Sequence, residues 1–236
     1  MQPIVGTKRA YDTAETYAWL GGIVFVLAIV AETVVATGFG VTQNDSATKV
    51  ADALQEHRTS VLVIAALSVI VAPSFVVYLN GLYHLLQEHD GPLRTLGSLV
   101  LVGGVLFITL HAVSDIGITG LLGAKLATFG ARHDPGLSYS LYLITYALDS
   151  VGDVFGSLFA LATGLLVMRS GVLPRWLGQT AIVVAAMFFL QAFGLGGVIA
   201  TYGLVLDLIG FVLLLVFVLA SSIILLRSAG RPEAAG

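Results

Sequence analysis

Six runs of apolar residues, near 17–38, 60–83, 95–122, 138–168, 175–198 and 201–226, dominate the chain. A helix crossing the hydrocarbon core of a bilayer needs about 20 such residues, so each run is long enough to span. Lipid offers the backbone no hydrogen-bond partner, which forces such runs to be helical. The expected fold is all-α: a polytopic membrane protein with six transmembrane helices in one bundle over 17–226, flanked by cytoplasmic tails at 1–16 and 227–236. Runs five and six touch at "FGLGGVIATYG", where glycines supply the turn. A five-span chain is the alternative. The first run follows Lys8 and Arg9 as a signal peptide would, yet it is longer than the usual apolar region of one and carries Glu32, which favours an uncleaved span.

Composition narrows the function classes. Apolar residues make up 57% of the chain and charged ones 11%, too few charges for the surface of a soluble domain of this length. The polar stretches are too short to bury a core of their own. A net charge of -3 with no basic patch argues against nucleic acid, leaving the lipid bilayer as the expected surrounding. The absence of cysteine excludes disulfides and zinc-thiolate sites.

With six spans, seven basic residues (Lys8, Arg9, Arg94, Arg169, Arg175, Arg227, Arg231) fall on one side and four (Lys49, Arg58, Lys125, Arg132) on the other. The positive-inside rule then puts both termini in the cytoplasm. Tyr17, Trp19 and Trp176 stand at cytoplasmic span ends, where aromatic belts are expected. In the first loop, Asp45 or Ser46 can cap a helix whose Ala47, Val50, Ala51 and Leu54 share one face. A short helix over 46–57, lying on the outer surface with this stripe toward the bilayer, is predicted. Between spans four and five, "MRSGVLPRWLG" reads as a tight turn in which Gly171 ends one helix and Pro174 starts the next.

Three stretches carry a family resemblance: "ATKVADALQEHRTSVLVIAAL", "LNGLYHLLQEHDGPLRTLGSLV" and "LLVMRSGVLPRWLG". Together they resemble the bacterial DUF4386 family of integral membrane proteins. The resemblance implies a helical protein of the bacterial inner membrane. That family has no established activity, so it transfers no catalytic residue.

The residues with chemistry are six: Glu32, His111, Asp115, Asp149, Asp153 and Asp207 lie inside spans that contain no Lys or Arg. A charged side chain at mid-bilayer costs roughly 2.5–3.5 kcal/mol, so five unpaired acids need neutralising by protons, a bound cation or a water-filled cavity. Counting about 1.5 Å per residue from the cytoplasmic anchors puts all six about 20–30 Å away, in the outer half. Asp149, Gly152, Asp153, Gly156 and Ala160 share a face, including a GxxxG, and small residues face other helices rather than lipid. His111, Ser114, Asp115 and Thr119 form a polar stripe on span three, while Asp207 has Gly203 and Gly210 beside it and Glu32 has Ala28 and Ala36. Asp149 and Asp207 each stand 20 residues before an arginine, a faint internal echo that two parallel spans would also produce.

One cavity between spans three and four is therefore expected, lined by His111, Asp115, Asp149 and Asp153 and closed by Glu32 and Asp207. His111 and Asp115, four apart, are placed to share a proton, and Asp153, the deeper of the span-four pair, is expected to hold one near neutral pH. A proton- or cation-coupled small transporter is the sharpest functional reading. A membrane-embedded metal hydrolase using His111, Asp115, Asp149 and Asp153 is the alternative, although zinc calls for more imidazole. A single intramembrane histidine excludes bis-histidine haem. The plainer reading, a structural or sensory protein whose acids snorkel or accept hydrogen bonds, stays open. So does a homo-oligomer, although GxxxG serves packing within a monomer more often than between copies. Pro73 is read as a kink in span two.

Overall fold

The computed structural model describes residues 6–42, 44–87, 90, 95–123, 134–192 and 200–229, the side chains of 6–15, 192, 200–204 and 229 excepted. Every regular element among them is a helix: α1 (Gly6–Ala36), α2 (Ala47–Glu56), α3 (Arg58–Gln87), α4 (Thr95–Gly123), α5 (Pro135–Ser170), α6 (Arg175–Ala192) and α7 (Ala200–Ala229). Among the described residues, five stretches are long and apolar enough to cross a membrane: Thr16–Ala36, α3, α4, α5 and Val205–Ser228. Helix α6, of 18 residues, stands where the fifth span is expected and is not among these five; its continuation to 198 and the glycine turn at 193–199 lie outside the described residues. Helix α1 begins at Gly6, ahead of its membrane-length apolar stretch at Thr16–Ala36.

The helices close into a ring. Each long helix packs on the next in chain order from α1 through α3, α4, α5 and α6 to α7, and α7 returns to α1. Short connections make consecutive helices antiparallel neighbours, so this order follows from the loops. Asp134 caps α5 by accepting the Leu137 N–H at 2.9 Å, and Gly171, at φ 66°, ends it in the left-handed conformation that lacks a Cβ penalty. Helix α3 runs through Pro73 without a break. The ring's centre is aromatic: Phe75 touches Phe25, Tyr78, Phe107 and Phe159 at centroid distances of 5.0 to 6.1 Å. Valines and leucines such as Leu27, Val69, Val102 and Leu208 face outward, while Ser68, Ser114, Asp153 and Gln191 are buried. That inversion of the soluble pattern suits a lipid surround.

Two aromatic and surface expectations need correction. Trp19 is buried, edge-on to Tyr78 at 6.3 Å, because α1 turns that face inward; Tyr17 and Trp176 are exposed. In α2, Ser46 is the cap, accepting the Lys49 N–H. The Val50, Ala51 and Leu54 stripe meets Val61, Leu122 and Tyr142, so it seats α2 on the bundle rather than on the bilayer. Asp45 fixes the preceding turn, accepting the Thr42 N–H at 2.8 Å and the Lys49 ammonium at 2.6 Å. Those two donors hold its carboxyl below the usual 3.8.

Candidate intramembrane proton site

The site grows from a close contact between α4 and α5. Gly152 brings α5 against His111 so tightly that a Cβ there would stand 2.7 Å from the imidazole. The His111 ring lies over Phe107 at 4.5 Å, and its Nδ1 is 2.9 Å from the Phe107 carbonyl. A carbonyl only accepts, so Nδ1 carries the hydrogen and donates it. Nε2 is thereby left to face the Asp153 carboxylate, 3.6 Å away, an ion-pair distance longer than a direct hydrogen bond. Asp153 itself is 4% exposed.

The other acids are arranged around this pair. Asp149, one turn along α5, lies beside the Ser114 hydroxyl, within electrostatic reach of Asp115 and Asp207. Ser114 also donates to the Thr145 carbonyl at 3.2 Å, pinning α4 to α5 at this level. Asp207 on α7 is within reach of His111 and Asp153. Glu32 is 9% exposed and accepts a hydrogen bond from Ser68 of α3, while remaining within reach of Asp115 and His111. Five helices thus contribute to one acidic zone, with Tyr146 at its edge near Asp207 and Asp153.

His111 and Asp115, expected to share a proton, lie within electrostatic reach of one another. Val113–Thr119 forms a π-turn, in which the Gly120 N–H reaches back five residues to the Asp115 carbonyl. The imidazole's partner is Asp153, across the helix interface. Three polar participants escaped the sequence reading: Ser68, the π-turn and Gln191. The Gln191 amide on α6 approaches Asp153, and its Oε1, like Asp149 Oδ1, is buried without a partner. A glutamine inside the apolar run "AAMFFLQAF" was the available signal.

Among the described residues, no three His, Asp or Glu side chains gather closely enough to hold a metal ion. A cavity of about 470 Å³ opens beside α2 between Phe39, Lys49, Asp52 and Glu56, and none of the six intramembrane titratable groups lines it.

Over residues 22–226 the chain matches the family described as Domain of unknown function (DUF4386), and it belongs to that family. No curated protein and no solved structure matches it.

Proposed function

We propose that this DUF4386 member is a six-span protein of the bacterial inner membrane whose His111–Asp153 pair binds and releases a proton, coupled to movement of a proton or cation through the acidic zone. The observation that carries the reading is the orientation of His111. With Nδ1 committed to the Phe107 carbonyl, a bare Nε2 would set a lone pair against an ionised, buried carboxylate. Two acceptors with no counter-charge are costly there, so the pair needs one proton, on imidazole or carboxyl. A site that must hold one proton, surrounded by further acids that attract it, has the chemistry of a relay. The metal hydrolase is the weaker reading, since the described residues do not converge as metal ligands.

Nitrogen NMR on histidine-labelled protein tests this, with His111→Gln assigning the signals. Near neutral pH the His111 Nδ1 should appear protonated and Nε2 bonded to, or sharing, a proton; Asp153→Asn should move the Nε2 resonance and leave Nδ1 in place. An Nε2 resonance indifferent to Asp153→Asn would refute the relay.

On this reading the acids lie in the outer half, α2 sits on the outer face, and both termini are cytoplasmic, as the seven-to-four basic asymmetry favours. A reporter active only in the periplasm, fused after Gly236, should stay silent; activity would invert the topology and turn the acidic zone inward.

A further inference from the structure

We propose that three exposed arginines at one end of the bundle, Arg169, Arg175 and Arg227, form a surface that selects anionic phospholipid headgroups, with Trp176 seated beside them in the headgroup layer. The surface is separate from the acidic zone: at the helical rise, Asp153 lies about 24 Å from Arg169 along α5.

The placement begins with the turn between α5 and α6. Helix α5 ends at Gly171 in the left-handed conformation, the Gly171 N–H donates to the Val167 carbonyl, and the Leu177 N–H closes the far side of the turn on the Pro174 carbonyl at 2.9 Å. Leu173, at the tip, is buried in the core. A turn anchored in this way holds Arg169 and Arg175 on a fixed frame, and both are exposed, as is Arg227 at the end of α7.

Close helix contacts fix the level of the three. A Cβ on Gly164 would stand 2.7 Å from the Gly178 carbonyl oxygen, and one on Gly178 would stand 3.0 Å from that of Gly164, so α5 and α6 touch backbone to backbone here. Counted from this contact, Arg169 is about 7.5 Å and Arg175 about 4.5 Å further toward the turn. Gly210 ties α7 to α6 in the same manner, a Cβ there meeting the Met187 Cβ at 3.0 Å. From that second contact, Arg175 is about 18 Å and Arg227 about 25 Å toward the same end. The three backbone positions therefore fall within a slab about 8 Å deep. The headgroup layer on each side of a bilayer is about 5–7 Å thick, and an arginine stem spans the difference.

Charge decides the occupant. None of the three arginines has a carboxylate partner among the described residues. Of the acids whose side chains are described, Asp90 alone stands at this end, in the connection between α3 and α4; it is 9% exposed and accepts the Gly97 N–H at 2.6 Å. Guanidinium forks without counter-charge in a headgroup layer suit phosphate, which each can bind bidentately. Met168 and Leu161 are exposed along α5 toward the hydrocarbon, where the acyl chains run. Trp176 follows Arg175 directly and is 47% exposed, the position of an interfacial indole. The expected gain for an anionic over a zwitterionic headgroup is about fivefold per arginine.

Trp176 also reports the result, because the second tryptophan, Trp19, is 3% exposed. The full chain, carrying Trp19→Phe to isolate the signal, is reconstituted into vesicles of phosphatidylcholine and phosphatidylglycerol in equal parts, with bromine on the acyl chains of one lipid or the other. Brominated phosphatidylglycerol should quench Trp176 with a relative association constant at least about fivefold above that of brominated phosphatidylcholine. Arg169→Gln, Arg175→Gln and Arg227→Gln together should bring the two lipids level, while the three lysine replacements should keep part of the preference. With the arginines intact, raising NaCl should weaken the preference, a measurement that needs no variant at these positions. Equal quenching by the two brominated lipids would overturn the surface, as would a preference that survives the triple glutamine change. A preference abolished by inorganic phosphate at constant ionic strength would overturn it too, since the arginines would then hold a free anion in place of a lipid.

Discussion

Gly103→Leu is expected to prevent the bundle from assembling, and Gly103→Ala to cost about 1–3 kcal/mol, the range for forcing volume into a packed interior. The size of the effect comes from what the new atoms would meet. A Cβ on Gly103 would stand 2.8 Å from the Phe159 nitrogen, 3.0 Å from the Phe155 carbonyl oxygen and 3.2 Å from the Phe159 Cα. These are backbone atoms of α5, which cannot rotate aside as a side chain can, so the two helices must move apart. His111 lies about 12 Å along α4 from this contact, and its distance to Asp153 is set by how closely α4 and α5 approach. Gly103→Ala should therefore weaken the His111 Nε2 response to Asp153 as well as the fold. Gly117 provides the control: a Cβ there meets nothing within 4 Å. Reversible unfolding in mixed micelles would measure both. A Gly103→Ala protein as stable as Gly117→Ala would mean that the close approach of α4 and α5 contributes little.

What the sequence disclosed and what it withheld divide along a physical line. The helices were legible because spanning lipid imposes a length and an apolarity that nothing else in a short chain imitates; α3, α4 and α5 lie where the apolar runs are. The family was legible in boundary patterns around "MRSGVLPRWLG" and is shown by the match over 22–226. That the acids face one another was legible from the small residues beside them, since a glycine face such as Gly152 and Gly156 has no use against lipid. The pairing within the zone was not legible. His111 and Asp115 look like partners at regular spacing, but nothing local says that the imidazole will also meet Asp153 across the interface of α4 and α5. Helical periodicity likewise cannot say that the stripe of α2 would find Val61 and Leu122 instead of lipid, because both surfaces are apolar. Glu32 meeting Ser68 is a contact across 36 residues, beyond any local pattern.

Asp153 is where fold and chemistry are expected to separate most sharply. Asp153→Asn changes one oxygen for a nitrogen in a site that already contains an amide, Gln191, and a ring nitrogen able to accept from it. Stability within about 1 kcal/mol of wild type is expected, since no volume changes and surface-free hydrogen bonds can be re-formed. Proton exchange at His111 should nevertheless be lost, because an amide cannot take up or release the proton. Asp153→Lys tests the opposite term. A lone cation at mid-bilayer costs roughly 2.5–3.5 kcal/mol, but here Glu32, Asp115, Asp149 and Asp207 would offset much of that. Charge is therefore the smaller part of the penalty. Size is the larger: the position is 4% exposed, flanked by Gly152 pressed on the imidazole and Gly156 pressed on Phe107 and Phe188. A lysine stem has no room without separating α5 from α4 and α6, which should cost about 1–3 kcal/mol and lower the yield of monodisperse protein. Comparing Asn, Lys and Met at this position in one unfolding series decides between the terms. Met, long but neutral, should destabilise nearly as much as Lys; if Met were harmless and Lys ruinous, charge would dominate and the acids around Asp153 would be too far away to compensate it.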